Sequence, residues 1–556
     1  MVTEHLIYRE LNMLKINKTT LFLFLLGLVL CVPIVLPYMQ PGYFPTHDGE
    51  WAVVRAGEMF REIRDLQFPP RYSASLNFGY GYPLFNFTYP FPYYLSTGLH
   101  VFQFGFVDSI KVIFALSVFG SFTSMFFLSR HFWKNSFAGF LSGVLYVFLP
   151  YHLVDLFVRG SIGESIAFVL YPLLLLFFLF VLQKKHITLS VFFIAVLTAV
   201  LITTHNISAV YFGIIFAFYF LALFLSGKKT ELLYTMGAFG WGVLIASFFF
   251  LPALFEKKHI KLSIIPIADR NLYYLTVQKL LGSPWGYGTP TDKNPFTYQI
   301  GIPQMIGFIL ACFALIKIKS VEKTIVSLFL VLTLAFVLMT FSFSFPIWKL
   351  PLLSEINYPW TLLLPIGFLI SFLSGAVVNL KWGRGIVVVL SIVAIALYLP
   401  FAKPESTSNK GDSYYLTNPA TTTSSNELMP LWVESQPTVL FSKKVTSKNP
   451  VENLVYTSDM ISFTINSNKG ETISINQIYY PGWVGLLNNE NVSISHDNKY
   501  GIMTIKVPEG KSSVVLIFSE TPLRLFADIL SAVSLFGLVL FLVIAIWRKK
   551  HGKKKK

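Results

Sequence analysis

A short polar segment, Gly42 to Trp51, follows the first long apolar stretch of the chain and carries His47, Asp48 and Glu50. A carboxylate placed just outside a membrane, with a histidine beside it, can meet a membrane-bound substrate. Asp48 is therefore a candidate general base or metal ligand. The same position is also typical of a helix N-cap, because an amphipathic helix is predicted over roughly residues 50–66. The two roles do not exclude each other.

A second polar pair, Arg159 and Glu164, interrupts the apolar sequence between two predicted membrane helices. Charged groups at the edge of the hydrocarbon are costly unless they are paired or used. The two residues therefore either form an internal ion pair that holds their loop or contact a substrate. His205 interrupts another apolar hairpin on the same side, where it is either a hydrogen-bonded structural residue or a ligand.

Two longer loops are rich in aromatic and basic residues. The first includes Arg71, Tyr80 and Tyr82 in a segment dense in Gly and Pro, which fix an irregular backbone. Its rings are suited to the headgroup zone of a membrane and to stacking on sugar faces. The second loop, 255–302, combines several cations with Trp285. These cations could clamp a lipid phosphate, or they could form a solvated or headgroup-binding face.

Several classes of chemistry lack their motifs in this sequence. No two His residues have the spacing of a metal pair, and neither a GxxxxGK[ST] phosphate loop nor a GxSxG nucleophile elbow occurs. Zinc hydrolases, ATP-driven transporters and serine hydrolases are disfavoured accordingly. Cys31 and Cys312 both lie in apolar runs, which excludes a disulfide scaffold and a thiol redox motif.

The composition indicates a membrane protein. Of the 556 residues, 54% are hydrophobic and only 13% are charged, whereas a soluble domain carries about 25% charge. The net charge of +16 includes a strongly basic C-terminal tail. We attribute this basic balance to membrane topology, with no role in nucleic acid binding.

The apolar segments predict a polytopic α-helical membrane protein with about 11 to 12 transmembrane helices, since each span needs about 20 apolar residues. The first is predicted to be a retained helix because no typical cleavage site follows it. Residues 90–104, short and rich in Pro and Tyr, are predicted to form an interfacial helix. The predicted spans centre on 20–39, 109–129, 136–153, 165–182, 187–203, 207–225, 232–254, 303–316, 324–341, 359–379, 385–402 and 524–547.

Short basic connectors predict the orientation, because Lys and Arg near helix ends are retained in the cytoplasm. All six lie on one side if both termini are cytoplasmic: Arg130 to Lys134, Lys184 and Lys185, Lys228 and Lys229, Lys317 to Lys323, Lys381 to Arg384, and Arg548 to Lys556. The opposite side of the cell membrane then receives the long connectors 40–108, 154–164, 255–302, 342–358 and 403–521.

A change of composition near residue 403 predicts a small extracytoplasmic β-rich domain over 404–521, between a membrane domain at 1–403 and a final helix with a basic tail at 522–556. Alternating stretches such as Ile461 to Ile465, bounded by turn signals, are typical of antiparallel strands. We expect this domain to dock over the outer face of the helices, with Trp432 and Trp483 as docking surface.

The motifs described above resemble those of bacterial integral membrane proteins that carry the 6-pyruvoyl-tetrahydropterin synthase-related domain, with YfhO-like proteins and, more remotely, GT-C glycosyltransferases among the relatives. The resemblance begins with Gly42 to Trp51, Phe68 to Arg71, Phe78 to Pro83 and Arg159 to Glu164. It extends over most of the chain through residues 281–288, 358–360, 426–432 and 480–483.

The resemblance implies a GT-C-like core that transfers a sugar from a polyprenyl-phosphate-linked donor to an extracytoplasmic acceptor, which is a cell-envelope glycan, lipid or protein. Membrane lipids are the other implied partners, and a divalent cation, Mg or Mn, is a candidate cofactor whose ligands are unknown. Asp48 and Glu164 become candidate catalytic residues. The candidate substrate-binding residues are His47, Glu50, Arg71, Tyr80, Tyr82, Arg159, His205 and Trp285.

Two features depart from that pattern. Thr361 follows Pro359 and Trp360 at a position where relatives are expected to carry Arg, which weakens the catalytic case if that Arg contacts substrate phosphate. The pterin in the family name has no chemical support, because a soluble pterin synthase needs a zinc-binding His cluster that this sequence lacks.

Two other classes of function remain open. A lipid-linked saccharide transporter or flippase would place polar residues in mid-membrane, whereas here they gather in the outer loops. A non-catalytic binding or assembly protein would hold an envelope polysaccharide on the β domain and the aromatic belt. For the enzyme, we expect Asp48, Arg159 and Glu164 to converge on one outward-facing cavity, with Asp48 within about 15 Å of the Arg159 loop.

Overall fold

The computed structural model describes residues 17–265, 267–314 and 321–552. Each of the twelve predicted apolar stretches contains helix in these ranges. Nine helices of the described chain are long and apolar enough to cross a membrane: Lys18–Met39, Phe106–Trp133, Ile162–Leu182, Ile187–Thr204, Asn206–Leu225, Val321–Met339, Pro359–Asn379, Gly383–Phe401 and Pro522–His551.

Two further apolar segments are bent helix pairs. Ser136–Val147 and Pro150–Arg159 meet at 45°, and Lys229–Ile245 and Ser247–Phe255 meet at 68°. Pro150 explains the first bend, because proline has no amide donor and is favoured at the first position of a new helix. With both pairs counted as spans, the described chain has up to 11, and a shorter apolar helix covers Ile302–Ala314. The predicted polytopic helical membrane protein is confirmed.

Parts of the basic connectors at 317–323 and 548–556, and the end of the predicted 303–316 helix, lie outside the described residues. The remaining helical turns are short and mostly belong to the loops between spans. They are Leu84–Phe87, Lys257–His259, Lys261–Ser263, Arg270–Tyr273, Val277–Gly282, Ser342–Ser344, Ile347–Lys349 and Asp412–Leu416.

The centre of the helical core is helix Phe106–Trp133, which packs against Ser136–Val147 and Ile162–Leu182. Small residues permit this close approach. A Cβ added at Gly139 would lie 2.6 Å from the Phe126 carbonyl oxygen, so only glycine fits there.

Two amphipathic helices lie in the first long connector, Gly49–Arg64 and Phe91–Val101. The helices predicted near 50–66 and 90–104 are therefore confirmed. The predicted connector 154–164 is largely helical, because Pro150–Val154 continues into a π-helical turn at Asp155–Arg159. Helix Ile162–Leu182 begins only three residues later.

The segment before the last helix forms eight strands, which confirms the predicted β-rich domain. They are β1 Val445–Thr446, β2 Val451–Tyr456, β3 Met460–Ser467, β4 Glu471–Ile478, β5 Trp483–Leu487, β6 Glu490–Val492, β7 Ile502–Val507 and β8 Gly510–Phe518. Two antiparallel sheets result, one ordered β2-β3-β8-β5-β6 and one ordered β1-β4-β7. Buried and exposed residues alternate along β3 and β8, as period-two patterning requires.

The β structure starts at Val445, so it is narrower than the predicted 404–521. Residues 404–444 are mostly irregular, and many of their hydrogen bonds go to the long connectors between membrane helices. Asp412 accepts hydrogen bonds from the amides of Phe106 and Val107, each at 2.8 Å, and so caps a membrane helix.

The β domain docks on the first long connector through backbone and side chains. The Ile478 amide donates to the Tyr80 carbonyl at 2.8 Å, and the Tyr72 hydroxyl donates to the Ile478 carbonyl at 2.7 Å. The Trp483 ring packs edge-on against Tyr72 at 5.8 Å. Trp432 contributes less directly, by ring contacts with His259 and Tyr480.

Candidate functional site

The segment that carries Asp48 is bonded through its backbone to the segment that carries Arg159. The His47 amide donates to the Val158 carbonyl at 2.9 Å, and the Asp48 amide donates to the Arg159 carbonyl at 2.8 Å. The predicted proximity of Asp48 and the Arg159 loop is therefore confirmed.

Gly160 makes this docking sterically possible. Its φ of +63° lies in the left-handed region that glycine adopts at little cost. A Cβ at this position would lie 2.3 Å from Thr46 Oγ1 and 2.8 Å from the Gly49 amide nitrogen. A side chain of any size at residue 160 would push the two segments apart.

The Asp48 carboxylate is available for chemistry. Asp48 stands at the N-cap position of helix Gly49–Arg64, but its side chain makes no capping hydrogen bond. Thr46 Oγ1 accepts from the Gly49 amide instead, at 3.0 Å. The carboxylate is partly exposed and forms no hydrogen bond or ion pair with any residue in the described ranges. Asp48 therefore occupies the predicted N-cap position, but its side chain does not cap the helix.

Arg159 is held by a buried acidic network. Its Nη1 donates to Glu164 Oε1 at 2.5 Å, to Asp155 Oδ1 at 3.2 Å and to the Tyr151 hydroxyl at 3.0 Å. Tyr151 donates in turn to Glu164 Oε2 at 2.8 Å, and Ser165 donates to Asp155 Oδ2 at 2.8 Å. The predicted internal ion pair is therefore present, and it fixes the guanidinium group of the same residue whose backbone binds the Asp48 segment.

Asp155 is the functional candidate that sequence reasoning missed. It is completely buried, with 0% exposure, and lies four residues before Arg159 in a helical turn. An acid and a base at this spacing face each other on a helix, which was the available signal. Because 154–164 was predicted to be a connector, this helical spacing was not considered.

The Arg159 guanidinium also lies beside an aromatic ring. Its Cζ lies 4.8 Å from the centre of the Trp360 ring. Within the described chain, Nε and Nη2 make no hydrogen bond, and the buried Trp360 Nε1 has no partner either. Thr361, the departure noted above, bonds to the Tyr211 hydroxyl at 2.7 Å, while Arg159 supplies a cation beside Trp360.

His205 and Tyr89 border the same cluster. His205 Nε2 lies 3.9 Å from Glu164 Oε1, and its Nδ1 lies 2.8 Å from Ser208 Oγ. The rings of Tyr89 and His205 meet at 5.5 Å. Burial raises the pKa of Tyr89 well above its usual range, and the negative charges of Asp48 and Glu164 add to this shift. Tyr89 is therefore a neutral hydroxyl facing the acidic cluster.

The loop 255–302 reaches the site through His47. His47 Nε2 lies 2.8 Å from the Tyr287 carbonyl oxygen. Trp285, two residues earlier, stacks on Phe401 at 4.7 Å and touches the Tyr287 ring at 6.1 Å. Trp285 therefore lies next to the cluster without a described contact to Asp48.

Three of the predicted substrate-binding residues have their contacts away from Asp48 and Arg159. They are Arg71, Tyr80 and Tyr82. Arg71 is 1% exposed and pairs with Asp528 at 2.8 Å and Glu520 at 3.3 Å, so it ties the first connector to the last helix. Tyr80 packs against Phe441, and the Tyr82 hydroxyl bonds to Thr422. These contacts are structural, and a substrate role for the three side chains remains a prediction.

Two open cavities lie along helix Gly49–Arg64. One, of about 360 Å³, is lined by Glu50, Trp51, Tyr414 and Tyr415 and begins two residues from Asp48. The other, of about 380 Å³, lies near the opposite end of the helix, between it and the β domain. Asp48 and Arg159 line neither, so a shared cavity at these two residues remains a prediction.

A metal ion at this site would need water or substrate oxygens among its ligands. Among residues 17–265, 267–314 and 321–552, no three His, Cys, Asp or Glu side chains are grouped so that they could hold a metal ion. Mg²⁺ commonly takes one or two carboxylates and completes its shell with water and substrate phosphate. Asp48 has a free carboxylate of this kind.

Three solved structures resemble the chain at low sequence identity. The arabinofuranosyltransferase AftD from Mycobacteria is 14% identical with a TM-score of 0.44, and the match covers 69% of this chain and 26% of that one. The archaeal oligosaccharyltransferase AglB from Archaeoglobus fulgidus, in complex with an inhibitory peptide and a dolichol-phosphate, is 11% identical with a TM-score of 0.45, covering 73% and 56%. ArnT from Cupriavidus metallidurans, bound to undecaprenyl phosphate, is 14% identical with a TM-score of 0.41, covering 71% and 67%.

The chain thus spans well under two thirds of the length of the first two structures. With TM-scores below 0.5, nothing about substrate or reaction follows from these matches. No curated protein matches the sequence at a significant level.

The family match concerns the membrane part of the chain. The model of the 6-pyruvoyl-tetrahydropterin synthase related domain, a membrane protein family, matches residues 85–403, which include Arg159, Glu164 and His205. This range is more than half of the chain and confirms the resemblance found in the sequence. The chain therefore belongs to the family of membrane proteins with a 6-pyruvoyl-tetrahydropterin synthase related domain.

Proposed function

We propose that the protein is a membrane glycosyltransferase that moves a sugar from a polyprenyl-phosphate-linked donor to an extracytoplasmic acceptor. The observation that carries the proposal is the position of Asp48. Its partly exposed carboxylate has no partner in the described chain, while its amide is hydrogen-bonded to the carbonyl of Arg159. A carboxylate without a structural partner beside a partly buried cation is the minimum that such a reaction needs, because the donor brings its own leaving group.

In the proposed reaction, Asp48 accepts the proton of the acceptor hydroxyl. The acceptor oxygen forms a new bond to the anomeric carbon of the sugar, and the bond from that carbon to the phosphate oxygen breaks. The bonding electron pair leaves with the polyprenyl phosphate. The free Nε and Nη2 donors of Arg159 face the developing phosphate charge, while Glu164 and Asp155 fix the guanidinium through Nη1.

Glu164 is a positioning residue in this proposal. Both of its carboxylate oxygens are already bonded, one to Arg159 and one to Tyr151. It therefore has little capacity to accept a proton from substrate, and Asp48 is the better candidate base. If a divalent cation takes part, Asp48 is the group that would hold it, together with substrate oxygens.

We propose that both termini are cytoplasmic in the cell membrane, so that Asp48 and the β domain face outward. The short basic connectors at 130–134, 184–185, 228–229 and 381–384 support this orientation. The polar residues gather at one end of the helical bundle and not in mid-membrane, which favours transfer chemistry over a transport path.

The test is release of polyprenyl phosphate from polyprenyl-phosphate-linked sugars by the full chain in proteoliposomes, with envelope extract as acceptor. Asp48→Asn should lower the rate by about a hundredfold or more, because proton transfer to a positioned base contributes that much. Asp497→Asn, at an exposed β-domain carboxylate, is the matched control and should be unchanged. Equal rates for wild type and Asp48→Asn would reject Asp48 as the base.

A further inference from the structure

The 380 Å³ cavity between helix Gly49–Arg64 and the β domain contains groups that no part of the proposed reaction uses. Its walls come from Glu58, Glu62, Lys444, Tyr456 and Ser458, together with neighbouring residues of both elements. With the 1.5 Å rise per residue of an α-helix, Glu58 and Glu62 lie about 15 to 21 Å along the helix axis from Asp48. The cavity is therefore separate from the candidate site at Asp48.

Two residues that line this cavity each carry a buried polar atom without a partner in the described chain. Glu62 is 0% exposed, and its Oε1 accepts from Ser73 Oγ, but its Oε2 has no hydrogen bond. Ser458 is 3% exposed, and its Oγ also has no partner. Buried polar atoms are rarely left unpaired, because each costs about 1 to 3 kcal/mol. A ligand with hydroxyl groups would satisfy both.

The other charged groups of the cavity are already paired inside the protein. Glu58 bonds to Arg61 at 2.6 Å and to Ser75, and Asp65 accepts from the Ser458 amide at 2.9 Å. Lys444 Nζ donates to the Gly79 and Asn476 carbonyls at 3.0 and 3.1 Å. The cavity therefore offers orphan hydrogen-bonding groups without an unpaired full charge beside them.

Aromatic rings complete the wall. Lys444 Nζ lies 4.9 Å from the Phe441 ring centre and 5.7 Å from that of Tyr456, so the two rings flank one side of the cavity. Tyr456 is 53% exposed and forms part of the rim. Amphipathic rings beside hydrogen-bonding groups suit a ligand that has both apolar faces and hydroxyl edges.

We propose that this cavity is a binding site for a neutral saccharide, which bonds to the Glu62 carboxyl and the Ser458 hydroxyl and packs against Tyr456. The site is distinct from Asp48 and binds whether or not Asp48 is catalytic.

The charge state of the cavity favours a neutral ligand over a cation. Burial raises the pKa of Glu62 well above its usual range and also raises that of Glu58. Burial likewise lowers the pKa of Lys444 to about 7. A protonated Glu62 is both donor and acceptor, which is the pattern that a sugar hydroxyl complements.

The experiment measures the binding of neutral disaccharides of glucose, galactose, mannose and N-acetylglucosamine to the full chain in nanodiscs. Saturation-transfer NMR detects binding, and calorimetry gives the affinity. Tyr456→Ala should weaken binding of the best disaccharide by about fivefold to tenfold through the lost ring contact. Ser458→Ala should weaken it by a few fold while leaving the backbone bond to Asp65 in place.

Tyr414→Ala is the matched control, since Tyr414 has the same 53% exposure but lines the other cavity. Binding that Tyr414→Ala weakens and Tyr456→Ala does not would overturn the proposal, as would the absence of binding by every disaccharide. Preferential binding of a polyamine such as spermidine would overturn it too. Asp48→Asn should leave disaccharide binding unchanged, so failure of this site and failure of the proposed reaction are separable.

Discussion

The amide of Asp48 donates a 2.8 Å hydrogen bond to the carbonyl of Arg159, although more than 100 residues separate the two in sequence. This bond joins the loop after the first membrane helix to the turn between two later helices. It places a free carboxylate next to a cation whose geometry is fixed by Asp155 and Glu164.

Gly160→Ala should separate the two segments without removing any charged group. The added Cβ would clash with Thr46 Oγ1, and a non-glycine residue in the left-handed region costs about 1 to 2 kcal/mol. We expect a lower thermal unfolding midpoint in detergent and a loss of transfer activity. Gly213→Ala, at a helical glycine with open space around its Cβ position, is the control and should behave as wild type. Full activity of Gly160→Ala would show that the contact is dispensable.

Tyr151→Phe should loosen the Arg159 network while preserving packing. The variant removes the hydroxyl that bridges Arg159 Nη1 and Glu164 Oε2, which leaves a buried acceptor less satisfied at a cost of about 1 to 3 kcal/mol. We expect lower stability and a larger fall in kcat than change in KM, since Arg159 would be less well positioned. Tyr234→Phe, at a 47% exposed tyrosine, provides the comparison. An unchanged kcat would argue against a positioning role for this network.

Glu62 should make stability depend on pH. Burial raises its pKa in the folded protein, whereas in the unfolded chain the pKa is about 4.3. Between these two values the unfolded state binds fewer protons, so the free energy of unfolding falls as the pH rises from about 4.3 through the folded pKa. The groups facing Glu62 are Glu58, Arg61, Asp65 and Ser73.

The check compares unfolding midpoints of wild type and Glu62→Gln from pH 5 to 9. Glu62→Gln has no proton to lose, so its profile should be flatter and its stability higher than that of wild type at alkaline pH. Glu490→Gln, at an exposed strand residue, should follow the wild-type profile. Parallel profiles for wild type and Glu62→Gln would contradict the raised pKa.

Orientation is tested by cysteine labelling in intact cells with a membrane-impermeant maleimide. An introduced Ser424→Cys, at an exposed position beside the β domain, should be labelled from outside. Lys185→Cys, at an exposed position in a short basic connector, should be labelled only after lysis. The reverse pattern would place the β domain and Asp48 in the cytoplasm and rule out an extracytoplasmic acceptor.

The membrane helices and the strands were predictable because each depends on a local pattern. About twenty consecutive apolar residues indicate a membrane helix, and a period-two alternation indicates a strand, whatever the distant contacts are. The proximity of Asp48 to the Arg159 loop was inferred from the cost of leaving charges unpaired near hydrocarbon. The two segments do meet, but through their backbones, and the ion-pair partners of Arg159 are Asp155 and Glu164 instead of Asp48. Asp155 was missed because its four-residue spacing from Arg159 indicates a pair only if the segment is helical, and 154–164 was predicted to be a connector.

The role of Arg71 depends on partners that a single sequence cannot reveal. Its ion pairs join it to Glu520 and Asp528, which lie far away along the chain and only meet it once the last helix has docked. In the same way, residues 404–444 were predicted to belong to the β-rich domain, yet Thr422 bonds to Arg55 and Tyr82 and so covers helix Gly49–Arg64.

The most direct test of the account is the structure of the full chain in nanodiscs with an added polyprenyl phosphate. We expect the phosphate within hydrogen-bond distance, about 3 Å, of Arg159 Nε or Nη2, with the Asp48 carboxylate facing the same space. A phosphate bound at the Lys257 and Lys258 loop, with protein or lipid tails filling the space between Arg159 and Asp48, would contradict the account.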